Sequence, residues 1–196
     1  MEKTIKNLTK AFIGESQARN RYSIYAEIAQ KEGLEQISSI FLETADQEKE
    51  HARWLFKFIN ELKEKSGEAE KYEEITVEAG APTDLGTTRE NLKAAIAGES
   101  YEFESMYPEF SKTAGEEGLN EISARLMLIG KAESHHKERY EKILEALEKN
   151  SVFKKEEKNE WVCRQCGYVH TGSEAPQKCP ACEKPQAFFQ LRCEIY

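Results

Sequence analysis

Apolar side chains recur along most of this chain at alternating spacings of three and four. Leu8, Phe12, Ala18, Tyr22, Ala26 and Ala29 make one such stripe, and a 3.6-residue period predicts an amphipathic helix over residues 4–31. Gly33 interrupts it. Ile37, Phe41, Leu55, Phe58 and Leu62 predict a second helix over 34–65. The stretch "SGEAEKYEEITVEAGAPTDLG" then loses the period, for a length that suits a crossover running along a bundle better than a tight turn. Thr87 or Thr88 can cap a third helix carrying Leu92, Ala95, Met106 and Phe110, with Gly115 and Gly118 ending it. A fourth, with Ile122, Leu126, Ile129, Tyr140, Ile143 and Leu147, runs towards Asn150. Residues 1–149 are thus expected to form an all-α four-helix bundle.

The two halves of that bundle repeat each other. "GESQARNRY" at 14 returns as "GESYEFESMY" at 98, "EGLEQIS" at 32 as "EGLNEIS" at 117, and "EKEH" at 48 as "ESHH" at 133. The Gly-Glu-Ser copies are offset by one residue less than the later copies. One residue has therefore been inserted between Glu99 and Tyr107. A helix accommodates a single insertion most readily as a π-bulge, a feature that favours functional sites. Pro108 disturbs the same segment by removing a backbone donor.

Charged groups interrupt all four apolar stripes at matching heights. They are Glu15 in the first helix, Glu48 and His51 in the second, Glu99 and Glu102 in the third, and Glu133 and His136 in the fourth. A buried, unpaired carboxylate is strongly unfavourable, so a set of this size is tenable only if cations neutralise it. Residues i and i+3 share a helical face, so each Glu-x-x-His can offer a carboxylate and an imidazole to one ion. One Glu from each of two helices plus Glu-x-x-His from the other two is a ligand set for two iron or manganese ions. Four carboxylates balance two ferrous ions, and a fifth suits the more positive diferric state. Glu102, which meets Gln17 and Ala18 at its place in the first half, is the fifth. Tyr22 and Tyr107 occupy equivalent inward positions. His135 is expected to face solvent.

The C-terminal region differs in composition. "NSVFKKEEKNE", 150–160, is polar and charged and reads as a linker. Residues 161–196 carry Cys163, Cys166, Cys179 and Cys182 as two Cys-x-x-Cys pairs. The segment is too short for a self-sufficient core. Trp161, Tyr168, Phe188, Phe189 and Tyr196 can make a small one, and a metal must supply the remaining stability. Four thiolates at this spacing fit either iron or a zinc ribbon. Cys193 is expected to be a small buried hydrophobe, and His170 a surface residue. Cysteines in metal-ligand spacing, without a signal peptide's apolar segment, point to a reducing cytoplasm. A net charge of −8 argues against non-specific nucleic-acid binding, and no apolar run is long enough for a membrane span.

Together, "GESQARNRY", "ADQEKEH", "GESYEFESMYPEF", "AESHHKERY" and "CRQCGYVHTGSEAPQKCPAC" resemble the rubrerythrin family over nearly the whole chain. The resemblance implies a ferritin-like di-iron bundle fused to a C-terminal rubredoxin-like domain. It implies two irons in the bundle and one held by Cys163, Cys166, Cys179 and Cys182. Glu15, Glu48, His51, Glu99, Glu102, Glu133 and His136 match the family's di-iron ligands, and Tyr22 and Tyr107 its nearby tyrosines. The activity implied is cytoplasmic reduction of hydrogen peroxide to water in oxidative-stress defence. Electrons would come from NAD(P)H through a separate reductase, often by way of rubredoxin, to a homodimer or higher homo-oligomer. The alternatives are a ferroxidase or iron-handling protein on the same bundle, and a non-enzymatic binding module bearing a zinc ribbon.

Overall fold

The computed structural model describes residues 1–194, so Tyr196 lies outside the described residues. Its bundle comprises α1 (Glu2–Lys31), α2 (Glu35–Lys65), α3 (Thr88–Tyr101), α4 (Tyr107–Glu116) and α5 (Asn120–Glu148). Glu102–Met106 between α3 and α4 form a π-helical turn, where the repeat mismatch placed the extra residue. Pro108 falls at the start of α4, where a missing amide donor is tolerated. No helix among the described residues is long and apolar enough to cross a membrane.

Matching sequence at the two short turns produces matching structure. Gly33 and Gly118 adopt φ +77° and +76°, a left-handed conformation that favours glycine. The amides of Leu34 and Leu119 reach back to the carbonyls of Ala29 and Ala114, at 2.9 and 2.8 Å. The glutamates preceding these glycines cap helices of the opposite half. Glu117 accepts from the amides of Lys3 and Thr4 and from the Thr4 hydroxyl, at 3.3, 2.9 and 2.6 Å. It also pairs with the N-terminal ammonium at 2.6 Å. Glu32 accepts from the Thr88 amide, at 3.2 Å to each oxygen. Carboxylates at helix N-termini satisfy orphan amides and favour the helix dipole. α3 also has its own capping box, made by Thr87 and Glu90.

The bundle core lies in two apolar layers. One contains Ile5, Leu8, Leu55, Phe58, Tyr107 and Leu126, the other Ala18, Tyr22, Phe41, Leu92 and Tyr140. The charged stripe positions lie between the two on every helix. Two contacts tie α2 to α5 on either side of that level. Arg139 donates to Glu43 at 2.8 Å, Thr44 at 2.7 Å and Gln47 at 3.2 Å. At the repeat-equivalent position, the Trp54 ring carries the Arg125 guanidinium 4.1 Å from its centroid.

The crossover, residues 66–87, is anchored by side chains of α1: Gln17 donates to the Gly80 carbonyl at 2.9 Å, and Tyr25 to the Asp84 carbonyl at 2.7 Å. Beyond α5, β1 (Lys154–Cys163), β2 (Val169–Glu174) and β3 (Phe189–Leu191) make an antiparallel sheet of order β2-β1-β3. Residues 154–160 are thus strand rather than the linker their composition suggests. Backbone pairing such as Glu160 with Thr171 holds them, which needs no apolar alternation. Trp161 and Phe189 form the small core with Cys163, Ala175 and Cys179. Tyr168 is exposed, and so is Cys193, two residues beyond the end of β3; that core is filled without either. His170 sits half-buried on β2.

Candidate metal centres

Glu15, Glu48, Glu99 and Glu133 are fully buried, His136 nearly so, and His51 is slightly exposed. Their polar atoms converge as two overlapping groups: Glu15, Glu48, His51 and Glu133, and Glu48, Glu99, Glu133 and His136. His51 Nδ1 lies 3.0 Å from Glu48 Oε2, 3.0 Å from Glu133 Oε1 and 3.9 Å from Glu15 Oε2. His136 Nδ1 lies 2.8 Å from Glu133 Oε2, 3.1 Å from Glu48 Oε1 and 3.6 Å from Glu99 Oε2. Glu48 and Glu133 each turn one oxygen to either group, the disposition of bridging carboxylates. Glu15 and Glu99 each serve one group. The helices explain the symmetry: both Glu-x-x-His pairs lie on α2 and α5, and the single glutamates on α1 and α3.

Two further observations fit a pair of cations. Glu15 Oε2, Glu48 Oε1, Glu99 Oε2, both Glu133 oxygens and His136 Nδ1 are buried without a well-directed hydrogen bond. Donor atoms that approach each other closely yet share no hydrogen are arranged around positive charge. The electrostatics agree. Burial and the neighbouring carboxylates push Glu15 well above the ordinary carboxylate range. Burial, outweighing His136, pushes Glu99 up to about 8. Burial alone would lower both histidines. The close approach of Glu133 and Glu48 instead raises His51 to about 10, and contacts to Glu133, Glu48 and Glu99 raise His136 to about 12. The cluster thus demands compensating positive charge, which two divalent ions supply without protonating the ligands.

Each tyrosine steadies the other half's single glutamate. Tyr22 donates to Glu99 at 2.6 Å, and Tyr107 donates to Glu15. Burial, then the adjacent carboxylates, raises both phenols well above their usual range, so they remain protonated donors. His135 is exposed, as its neighbour's inward orientation requires.

Glu102 stands apart from the six converging residues. It is 8% exposed on the π turn, and burial and the neighbouring glutamates raise its pKa well above the ordinary range. It lines a cavity between α1, the π turn and crossover residues 78–82 rather than joining either ligand group. That cavity was not legible in the sequence. Its available signal was the glycine that begins both Gly-Glu-Ser copies. Gly14 and Gly98 lie inside helices, where glycine costs about 0.5–1 kcal/mol relative to alanine. Both line the cavity.

The second centre is built from two matching knuckles. Gly167 N donates to Cys163 O and Cys163 N to Tyr168 O, both at 2.8 Å. Glu183 N donates to Cys179 O at 2.9 Å and Cys179 N to Lys184 O at 2.8 Å. All four sulfurs come within 4.8 Å of one another, with Cys163–Cys182 and Cys166–Cys179 at 3.7 Å. A tetrahedron with metal–sulfur bonds of about 2.3 Å has edges of about 3.8 Å, so the cage fits one ion. Burial opposes ionisation of Cys179, but the amides of Cys182 and Ala181 overcome it and lower the thiol to about 7.

The comparisons with known proteins agree with this architecture. The family model for rubrerythrin matches residues 6–144, and that for the rubrerythrin rubredoxin-like domain matches 161–190. A relative in Methanocaldococcus jannaschii is 54% identical over all of this chain and 96% of its own. Rubrerythrin-1 of Clostridium acetobutylicum is 48% identical over 99% of this chain and 96% of its own. Among solved structures, fully reduced, all-ferrous nigerythrin superimposes with a TM-score of 0.63 at 32% identity, over 96% of this chain and 86% of that one. The chain therefore belongs to the rubrerythrin family of oxidoreductases, with a di-iron site of carboxylate and histidine ligands in its bundle and a rubredoxin-like four-cysteine site for a third iron.

Proposed function

We propose that this protein reduces hydrogen peroxide to two waters at the bundle site, using electrons received singly at the four-cysteine site. The observation that carries the reading is a fifth buried glutamate, Glu102, held beside a ligand cluster that is already complete without it. In this reading Glu15, Glu48, His51, Glu99, Glu102, Glu133 and His136 hold the iron pair, and Cys163, Cys166, Cys179 and Cys182 the single iron. Ferrous iron, when bound, supplies the two electrons that cleave the O–O bond.

The protein's own residues set the geometry for that step. Glu48 and Glu133, each with one oxygen turned to either group, would hold both ions. Tyr22 and Tyr107 hold Glu99 and Glu15 in place, and so preorganise the site. Glu102 and His51 act as alternate ligands at one position. With less positive charge at the reduced site one carboxylate would be surplus, and the neutral imidazole of His51 would take its place. His51 facing the cluster and Glu102 facing the cavity is the arrangement this reading assigns to the reduced state. In the oxidised site Glu102 would be the ligand, with the π turn providing the freedom to move.

The remaining partners follow from the same reading. The donor is rubredoxin or an NAD(P)H-dependent reductase, the protein works in the cytoplasm, and a homodimer brings one chain's four-cysteine site near the other's bundle site. The test is anaerobic mixing of the reduced full chain with hydrogen peroxide and, separately, with dioxygen, following oxidation of both iron sites by absorbance. Peroxide is expected to oxidise the bundle site faster than dioxygen does, with the four-cysteine iron following. Faster oxidation by dioxygen would replace this reading with the ferroxidase one. A colourless four-cysteine site holding zinc would remove the electron route.

A further inference from the structure

The cavity beside Glu102 is far larger than hydrogen peroxide needs. Its volume is 610 Å³, whereas a molecule the size of two waters occupies about 60 Å³ at liquid density. Pockets for organic small molecules span roughly 300–1,000 Å³. Its lining mixes charged groups, among them Glu102, Arg21, Glu78 and Glu109, with the apolar side chains of Met106, Phe110 and Pro82. Gln17 links the two sides of this space. It accepts from Arg21 at 3.0 Å and donates to the Gly80 carbonyl at 2.9 Å, fixing the crossover as a roof.

The glycines show that the space is kept open. A Cβ at Gly98 would meet nothing within 4 Å, and one at Gly14 only Glu102 Oε1, at 3.9 Å. Neither has a positive φ. Packing and backbone conformation therefore do not require glycine, and helix propensity disfavours it. Glu102 points into the same space, nine-tenths buried and outside both ligand groups.

We propose that this cavity is a substrate pocket that admits hydroperoxides bearing a small alkyl group, with Glu102 at its reacting end and the alkyl group against Met106, Phe110 and Pro82. This rests on the peroxide-reductase reading and widens its substrate class. The reaction is ROOH + 2 e⁻ + 2 H⁺ → ROH + H₂O. The O–O bond breaks, each oxygen gains a proton from solvent, and the two electrons come from the ferrous pair of the reduced protein.

The experiment uses the full, iron-loaded chain and the variant Gly98→Leu, whose side chain enters the cavity from α3. Reduced protein is mixed anaerobically with hydrogen peroxide and with tert-butyl hydroperoxide. Both are expected to oxidise the wild-type bundle site, and the ratio of alkyl to hydrogen peroxide rates is expected to fall by about tenfold or more in the variant. A readout independent of turnover is saturation transfer from the oxidised protein to tert-butyl alcohol, expected in the wild type and lost in Gly98→Leu. Oxidation by hydrogen peroxide alone would overturn the pocket and leave the peroxide reading intact, whereas oxidation by neither would overturn both. An unchanged rate ratio in Gly98→Leu, or equal saturation transfer in both proteins, would also overturn the pocket.

Discussion

The α1–α2 half and the α3–α5 half of the bundle carry the same motifs but differ in what surrounds them. Each half gives one bridging Glu-x-x-His, one single glutamate and one tyrosine that bonds the other half's glutamate. Each also sends its Glu-Gly-Leu glutamate to the other half's first helix. Neither half can assemble the site alone. The difference is concentrated in one inserted residue. α1 runs unbroken past Gln17 and Ala18, while the second half opens into a π turn and presents Glu102. The shared features bring the ligand groups together; the unshared one presents a fifth buried carboxylate beside them.

The sharpest way to break this comparison is to remove Glu102 and, separately, its counterpart. Glu102→Ala is expected to retain the iron pair, alter the absorption spectrum of the oxidised site and slow its oxidation by peroxide on the order of 100-fold. Ala18→Gly, at the equivalent place, should change that rate by less than about threefold, its effect being on stability, through helix propensity and a lost buried methyl group. Stopped-flow absorbance measures both. Equal losses would mean that the insertion confers no special role.

Arg139 and Trp54 test the ties between the two Glu-x-x-His helices. Arg139→Ala removes three hydrogen bonds across α2 and α5 and should destabilise the bundle by about 2 kcal/mol. Arg139→Lys should restore under half of that, because an ammonium cannot reproduce the fork. Trp54→Leu keeps an apolar contact but loses the ring that carries the Arg125 guanidinium and the Lys57 ammonium and packs on Phe58, at about 1 kcal/mol. Denaturant unfolding of the iron-loaded proteins checks the order.

The two cross-caps differ in the same way. Glu117→Ala should cost about 1–2 kcal/mol, since the donors of α1 that it serves lose a charged partner. Glu32→Ala should cost under about 0.5 kcal/mol, because Thr87 and Glu90 still cap α3. Burial opposes ionisation of Glu117, but the N-terminal ammonium and Thr4 outweigh it and hold it down at about 2. A depressed folded-state pKa stabilises above the ordinary carboxylate range and loses that contribution as pH falls through about 2. The difference in melting temperature between wild type and Glu117→Ala should therefore be full at pH 6 and shrink between pH 4 and pH 2.

Periodicity and the repeat made much of this legible. The apolar stripes located the bundle helices, the one-residue mismatch located the π turn, and the charged interruptions located the buried cluster between two core layers. Contacts made by exposed residue types across long sequence distances were not legible. Nothing local to Arg139 indicates Glu43, and nothing near Glu117 indicates the start of α1. The strand over 154–160 was hidden because backbone pairing holds a segment charged on both faces, which removes the period-two signal. The position of Cys193 was missed because its apolar character says nothing about whether the small core has room for it.

The smallest expected effect transfers the comparison to the two cysteine knuckles. They share their backbone bonds, and each places its fifth residue in the left-handed region, Gly167 at φ +77° and Glu183 at φ +63°. For glycine that conformation carries no Cβ penalty, whereas for a residue with a side chain it costs about 1–2 kcal/mol. Glu183 also makes an exposed pair with Lys178 at 3.2 Å, a contact worth little. Glu183→Gly relieves the strain but adds freedom to the unfolded chain, which offsets part of the gain. A net stabilisation of the small domain of about 0.5 kcal/mol is expected, read as slower loss of the four-cysteine iron to a chelator under denaturant. The reciprocal change, Gly167→Glu, should destabilise by about 1 kcal/mol or more and speed that loss. If both substitutions shift the rate in the same direction, backbone strain does not distinguish the two knuckles.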